Sequence, residues 1–236
     1  MPKHKKFQSN NYIQFSLYLL LLILNSSILP CDKFKDFSLP PKDESDKDKS
    51  FLEFKTKLIQ AVQKKDAEFL KSITDKDIKF SFGEESGKKR FLESWDLDKN
   101  PKDSNIWSSL ENTFKLGFSK DKDGFSAPYL FNHFPEEYDA FSYSLISGTN
   151  VNVRAEASIK SKVVTKLSHK IVFLDRDSNE NEAEGSKDEC IWQKVCLANG
   201  ETGFVCDQYL RSPVDYRAIF AKKNNKWSMV VFIAGD

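Results

Sequence analysis

Few side chains in this sequence are of the types that carry out nucleophilic or acid–base chemistry. The chain of 236 residues has four cysteines and three histidines. Residues 51–142 contain no cysteine and a single histidine, His133, close to Glu136 and Glu137. No nucleophile stands near it in the sequence, and a lone histidine among aromatic residues is more often a structural hydrogen-bonding group. The sequence therefore predicts no catalytic centre.

Two short motifs resemble ligand sites but lack required residues. Segment 83–88 has three residues between its glycines, where a phosphate-binding loop has four, and it carries two carboxylates that would repel phosphate. Segment 119–124 begins like an EF-hand calcium loop, but Leu130 stands where a bidentate Glu is required. We expect no cofactor and no metal.

The composition indicates a folded protein without an affinity for nucleic acid. Hydrophobic residues make up 39% of the chain, and its 20 Phe are enough to build a core, which excludes low-complexity and wholly disordered classes. The 36 basic and 35 acidic residues leave a formal charge of +1. Binding to a phosphate backbone calls for a clustered positive field, so nucleic acid is not an expected partner.

The N-terminus has the layout of a secretory signal. Three lysines precede the apolar run 15–24, and this run is too short to span a membrane. Cys31 follows it at the place of the lipidated cysteine in a lipoprotein signal, although Pro30 stands where a small residue is expected. We expect a signal peptide at 1–30, a lipid on Cys31 and a membrane-attached protein of the cell envelope. A cleaved secreted protein and an uncleaved anchor are the alternatives.

Residues 31–50 are predicted to form a disordered tether. The segment contains Pro40-Pro41 and then a stretch of almost entirely charged or small residues. Such a composition does not bury enough apolar area to order a chain.

Residues 51–142 alternate between helical and strand periodicity. Apolar residues at steps of three and four, starting at Phe51, predict an amphipathic helix, and Asp66 is expected to cap a second one. Residues 78–82 alternate as a half-buried strand does. Two more helices are expected at 86–95 and after the cap residue Ser104. The sequence predicts a helix-rich α+β region.

Residues 143–212 form a module of short strands and turns. The sequence opens with GTNVNVR at 148–154, continues with WQKV at 192–195, and closes with GETGFV at 200–205 and then Tyr209-Leu210. These motifs resemble the bacterial SH3 domain. The resemblance implies a small, strongly bent β-barrel, and Asp175–Glu189 is a polar insertion between two of its strands.

The resemblance also implies a ligand groove lined by aromatic residues that contacts a cell-wall peptide or a protein segment. Period-two counting places Val195 and Val205 on the core face and Trp192 on the opposite one. Packing of the aromatic residues against the neighbouring region is the alternative. The residues expected to line this face are Asn152, Arg154, Phe173, Trp192, Phe204 and Tyr209.

Three cysteines remain if Cys31 carries a lipid. Export permits a disulfide among Cys190, Cys196 and Cys206, with one thiol left over, and strand parity does not select the pair. Their spacings do not match a zinc motif.

Residues 213–236 are predicted to form a β-hairpin around Asn224-Asn225 that is too apolar to stand alone. We expect it to pack on residues 51–142, pairing with the strand at 78–82, so that the barrel is an insertion in one α+β domain. The C-terminal sequence, together with DIKFSFG at 77–83, is similar to that of bacterial SH3-containing lipoproteins. That resemblance implies architecture and location and no activity.

Three functions are compatible with the sequence. The first is a non-enzymatic, envelope-anchored binding or scaffold protein that uses the barrel to contact cell-wall peptide or an envelope protein. The second is a cell-wall hydrolase or its remnant, which needs a Cys–His or Ser–His pair or a metal set. The third is a pocket domain for a small ligand.

Overall fold

The computed structural model describes residues 31–83, 85–176 and 190–235. The signal peptide expected at 1–30 and most of the insertion at 175–189 lie outside these residues. The helices are α1 (Lys49–Lys64), α2 (Ala67–Ile73), α3 (Lys88–Ser94), α4 (Ile106–Phe114) and α5 (Leu130–His133).

Twelve strands accompany these helices in the described ranges. They are β1 (Thr74–Lys79), β2 (Ser119–Lys120), β3 (Gly124–Ala127), β4 (Tyr143–Ile146), β5 (Val151–Arg154), β6 (Val163–Leu167), β7 (Ile171–Leu174), β8 (Trp192–Cys196), β9 (Thr202–Cys206), β10 (Leu210–Arg211), β11 (Arg217–Lys223) and β12 (Lys226–Ile233). The fold is therefore α+β, with the strands divided between two sheets.

The first sheet has the order β1-β12-β11-β3-β2. The C-terminal hairpin β11–β12 lies at its centre, and β12 runs parallel to β1. The pairing expected between the hairpin and the first strand is thus present, although that strand covers Thr74–Lys79 and not 78–82. Because β3 and β11 are neighbours in the sheet, residues 143–211 are inserted between two of its adjacent strands.

Helices α1 and α2 begin directly after side chains that cap them. Asp48 accepts hydrogen bonds from the backbone N–H groups of Ser50 and Phe51, and Asp66 accepts one from Phe69. Side chains of this type at a helix start satisfy N–H groups that have no partner within the helix.

The helices pack against the first sheet through a core dominated by phenylalanine. Phe51 stacks on Phe125 with ring centroids 3.7 Å apart, and Phe220 on the central strand β11 packs against Phe51 with its ring tilted by 57°. Phe118, Phe91 and Phe232 are also fully or almost fully buried in this core. The residues that determine the packing therefore come from both ends of the chain.

The second sheet has the order β10-β4-β7-β8-β9-β5-β6, and its neighbouring strands are antiparallel. Its order is linear, and no pairing between the edge strands β10 and β6 is found within the described ranges. The predicted strand parity is confirmed, because Val153, Val195 and Val205 are fully buried in one cluster on the core face.

Residues 31–50 are not a disordered tether, so that expectation is wrong. Leu39 is buried, and its N–H donates to the carbonyl of His169 at 2.8 Å. Phe34 and Phe37 pack with it in a cluster that includes residues of β4 and β7 in the second sheet and Leu130 on α5. Aromatic residues spaced along a polar segment are thus sufficient to hold it along the second sheet, and residues 45–47 then form a short 3-10 helix before α1.

The second sheet also has a direct polar connection to the first part of the fold. The Arg211 guanidinium donates to the carbonyl oxygen of Tyr216 and, at 3.3 Å, to the hydroxyl of Thr113 on α4. Burial lowers the pKa of Arg211, and the nearby Asp215 carboxylate opposes that shift.

Among the described residues, no helix combines the length and the apolar character that crossing a bilayer requires.

Candidate functional site

The candidate site lies on the outer face of the second sheet, where β5, β9 and β8 are neighbours. Trp192 is the register partner of Cys206, and Arg154 is the partner of Phe204. Continuing the β5–β9 register by two residues places Asn152 opposite Cys206. Asn152, Cys206 and Trp192 therefore form one row across three strands. Because side chains alternate along each strand, those of this row project from the face of the sheet opposite to the face that carries the buried valines.

A pocket of about 250 Å³ lies over this row. The pocket brings together four of the six residues predicted for the ligand face, which are Asn152, Arg154, Trp192 and Tyr209. Its other walls come from the turn at 149–150, from Ile159, from Gln208 and from the Cys190–Cys206 disulfide. We call this cavity the row pocket.

Trp192 forms the inner wall of the row pocket and is not the exposed aromatic residue that the sequence suggested. Its side chain is 8% exposed and packs with both cysteines of the disulfide, with partial cover from Ala157 and Phe204. All these residues belong to the second sheet and its loops. The alternative that Trp192 packs against the neighbouring helical region is therefore wrong.

Two residues predicted for the ligand face do not line the row pocket. Phe204 lies beside it and packs against the Trp192 cluster. Phe173 lies elsewhere on the sheet, on β7, where its ring meets the edge of Tyr143 at a centroid distance of 5.2 Å. Burial is the main cause that raises the pKa of this Tyr143 hydroxyl. Phe173 belongs to the packing between β4 and β7, because its side chain contacts a neighbour there.

The guanidinium of Arg154 is held at one end of the pocket. Its Nη1 donates to the carbonyl oxygen of Ser161 at 2.7 Å, which ties β5 to the loop before β6. The residues that line the pocket include no aspartate and no glutamate. Arg154 therefore supplies positive charge to the pocket wall, and the Asp207 carboxylate lies 3.7 Å from the sulfur of Cys206 at the disulfide wall.

All four cysteines are paired, which corrects two expectations. Cys190 pairs with Cys206, and Cys196 pairs with Cys31, so no thiol is left over. A sulfur in a disulfide cannot at the same time form the thioether that carries a lipid. Lipidation of Cys31 is therefore incompatible with this structure.

His133 and the cluster of Cys190, Cys206 and Asp207, which are candidates for catalysis or metal binding, are engaged in structural contacts. The ring of His133 stacks on Tyr129 at 3.8 Å, and its Nδ1 lies 3.0 Å from the carbonyl oxygen of the same residue. Cys190, Cys206 and Asp207 are close enough to hold a metal, but the two sulfurs are bonded to each other.

Two disulfides favour an extracytoplasmic location, because such bonds persist in oxidising compartments.

Sequence reasoning did not identify Ile159, Gln208 or Cys190 as residues of the row pocket. Ile159 lies between β5 and β6, Gln208 lies in the 3-10 helix 207–209, and Cys190 lies just before β8 and is bonded to Cys206. The sequence contains the turn signal at Asn150, which has a φ of 54°, but it does not report the direction in which the loop side chains point.

No family model, no curated protein and no solved structure matches the chain.

Proposed function

We propose that this chain is an exported, non-enzymatic binding protein of the cell envelope whose second sheet is an SH3-like barrel. In this proposal the row pocket holds a peptide segment from the cell wall or from an envelope protein. The observation that carries the proposal is the convergence of Asn152, Arg154, Trp192 and Tyr209 on one cavity. Ligand sites are typically concave and mostly apolar, with a few polar groups directed inward.

The rim of the row pocket supports a macromolecular partner. Ile159 is 54% exposed and Tyr209 is 42% exposed, and both line the cavity. Ile191, which precedes Trp192, is also largely exposed. Exposed apolar side chains grouped around a cavity mark binding surfaces more often than single exposed residues do. Such a rim suits the side chains of an extended peptide.

The disulfides support export, and they bear on how the protein is retained in the envelope. With Cys31 bonded to Cys196, a lipid on that sulfur is not part of the proposal. The proposal assigns retention to the partner that occupies the row pocket.

The test is a pulldown of the purified protein on purified peptidoglycan. Tyr209→Ala removes an exposed rim side chain, so we expect markedly lower retention without loss of folding. Phe141→Ala is the matched control, because Phe141 is 51% exposed and does not line the pocket. Failure of the unaltered protein to bind, or equal retention of all three proteins, would reject the cell-wall ligand.

The hydrolase alternative requires a nucleophile activated by a base, and among the described residues Thr149 Oγ1 lies 3.3 Å from His169 Nε2. Every cysteine is in a disulfide, and His133 is stacked on Tyr129. Release of soluble fragments from peptidoglycan during the same incubation would favour that alternative over the binding protein.

A further inference from the structure

Two buried polar atoms of residues that line the row pocket have no hydrogen-bond partner among the residues that the structure describes. They are Asn152 Oδ1, which accepts hydrogen bonds, and Trp192 Nε1, which donates one. Leaving such a group buried and unpaired costs about 1–3 kcal/mol. Both residues line the row pocket, and their unpaired atoms have opposite hydrogen-bonding character, which points to a ligand that displaces their present cover and pairs with both.

The position of the two residues determines how far apart these atoms are held. Asn152 on β5 and Trp192 on β8 lie in the same row with β9 between them. Adjacent strands are about 4.8 Å apart, so the two Cα atoms are separated by about 10 Å. A ligand that reaches both side chains needs its donor and its acceptor on different atoms.

We propose that the row pocket recognises a neutral secondary amide, as found along a peptide backbone. The amide C=O would accept a hydrogen bond from Trp192 Nε1, and an amide N–H would donate one to Asn152 Oδ1. This inference rests on the proposed function, since it takes the row pocket as the ligand site, and it names the chemical group that is bound.

Charged groups satisfy only one of the two unpaired atoms. A carboxylate or a phosphate accepts from Trp192 but has no proton for Asn152. An ammonium group donates to Asn152 but does not accept from Trp192. A sugar carries hydroxyls on several carbons and so can pair with both side chains, which makes a hydroxyl-only disaccharide the competing probe in the experiment below.

The first measurement is a ¹H–¹⁵N spectrum of the indole N–H groups of the four tryptophans. The probe is N-acetyl-trialanine methylamide, a neutral peptide. Trp192→Phe keeps most of the packing and identifies the Trp192 signal by its loss. We expect this signal to move downfield in a saturable way as peptide is added, because the indole N–H acquires an acceptor.

The second measurement compares affinities. Loss of one hydrogen bond of this kind should weaken peptide binding about tenfold, both in Trp192→Phe and in Asn152→Leu. Trp95→Phe is the matched control, since Trp95 packs in the core of the first sheet, and it should bind as the unaltered protein does.

An ester analogue of the peptide tests the Asn152 contact without relying on a folded variant. Replacing the amide N–H by oxygen keeps the carbonyl and removes the donor. The unaltered protein should bind the ester about tenfold more weakly than the peptide, whereas Asn152→Leu should not distinguish the two ligands.

Three results would overturn the proposal. If the Trp192 indole signal does not shift when peptide is added, Trp192 Nε1 and Asn152 Oδ1 are paired by a bridging water only. A saturable response to a hydroxyl-only disaccharide, with none to the peptide, would assign the pocket to a sugar. Equal affinity for ester and amide would remove the Asn152 contact. Peptide binding without any retention on peptidoglycan would instead keep the amide site and reject the cell wall as its source.

Discussion

At the scale of single residues, Asp48 links helix formation to pH. Its carboxylate accepts from the N–H groups of Ser50 at 2.8 Å and Phe51 at 3.1 Å, and from the Ser50 hydroxyl at 2.7 Å. We expect Asp48→Ala to lower the free energy of unfolding by about 1 kcal/mol, because the first turn of α1 loses its cap. Urea denaturation followed by circular dichroism measures this change, and an unaltered midpoint would contradict it.

The same residue predicts a loss of stability in acid. The hydrogen bond from the Ser50 hydroxyl, followed by that from the Phe51 N–H, holds the pKa of Asp48 below its ordinary value. A carboxyl group of this kind stabilises the fold above its unfolded-state pKa, and the contribution is lost as the pH falls through its folded-state pKa. Asp48→Asn retains a capping oxygen that does not titrate, so its melting temperature should fall less below about pH 5. Parallel melting curves would contradict this reading.

Residue identity alone predicts which side chains face the core and does not predict which polar atoms are left unpaired. Val195 and Val205 follow from a period of two along each strand. The unpaired state of Trp192 Nε1 depends on neighbours from other strands and from the Cys190–Cys206 disulfide. Those neighbours are distant in sequence, so no local pattern reports them.

At the scale of secondary structure, the hairpin β11–β12 is the element that holds the first sheet together. Phe220 on β11 is fully buried. Its ring contacts aromatic rings on α1 and α4 and the ring of Phe118, which lies just before β2. We expect Phe220→Ala to destabilise the protein by about 3–5 kcal/mol, since it removes a large side chain from a packed core. Phe141→Ala, a surface control, should change stability by less than about 0.5 kcal/mol.

A close approach at Gly117 connects α4 to the N-terminal segment. Gly117 has a φ of 83°, and a Cβ there would lie 2.0 Å from the carbonyl oxygen of Lys42. Gly117→Ala should therefore displace residues 31–48 and destabilise the fold by about 1–3 kcal/mol. Faster proteolysis within 31–48 would locate the effect, and unchanged cleavage there would contradict it.

The elements that the sequence predicts are those with a clear period. Helices α1, α2 and α4 have apolar stripes and capping residues, and the sequence predicts all three near their observed positions. Strand β3 was missed because all four of its residues, Gly124–Ala127, are buried, so it has no alternating pattern. The segment 31–50 was misjudged because composition describes it as polar, whereas Phe34, Phe37 and Leu39 find apolar partners in the folded structure.

At the scale of the whole molecule, the two disulfides make different connections. The Cys190–Cys206 bond joins residues 16 positions apart within the second sheet, whereas the Cys31–Cys196 bond joins residues 165 positions apart and ties the N-terminal segment to that sheet. A cross-link limits the freedom of the unfolded chain more when the loop that it closes is longer. By this model the long connection contributes about 5 kcal/mol and the short one about 3 kcal/mol.

Replacing each cysteine pair by serine tests this difference without leaving an unpaired thiol. Under non-reducing conditions, the variant with Cys31→Ser and Cys196→Ser should have a lower urea midpoint than the one with Cys190→Ser and Cys206→Ser. The reverse order would mean that the N-terminal segment contributes less to the fold than its packing suggests.

Mass spectrometry of the unreduced, unaltered protein checks the disulfide directly, and we expect a linked peptide pair that contains Cys31 and Cys196. A lipid thioether on Cys31 would instead free Cys196 and remove the covalent link between the N-terminal segment and the second sheet, because one sulfur cannot form both bonds.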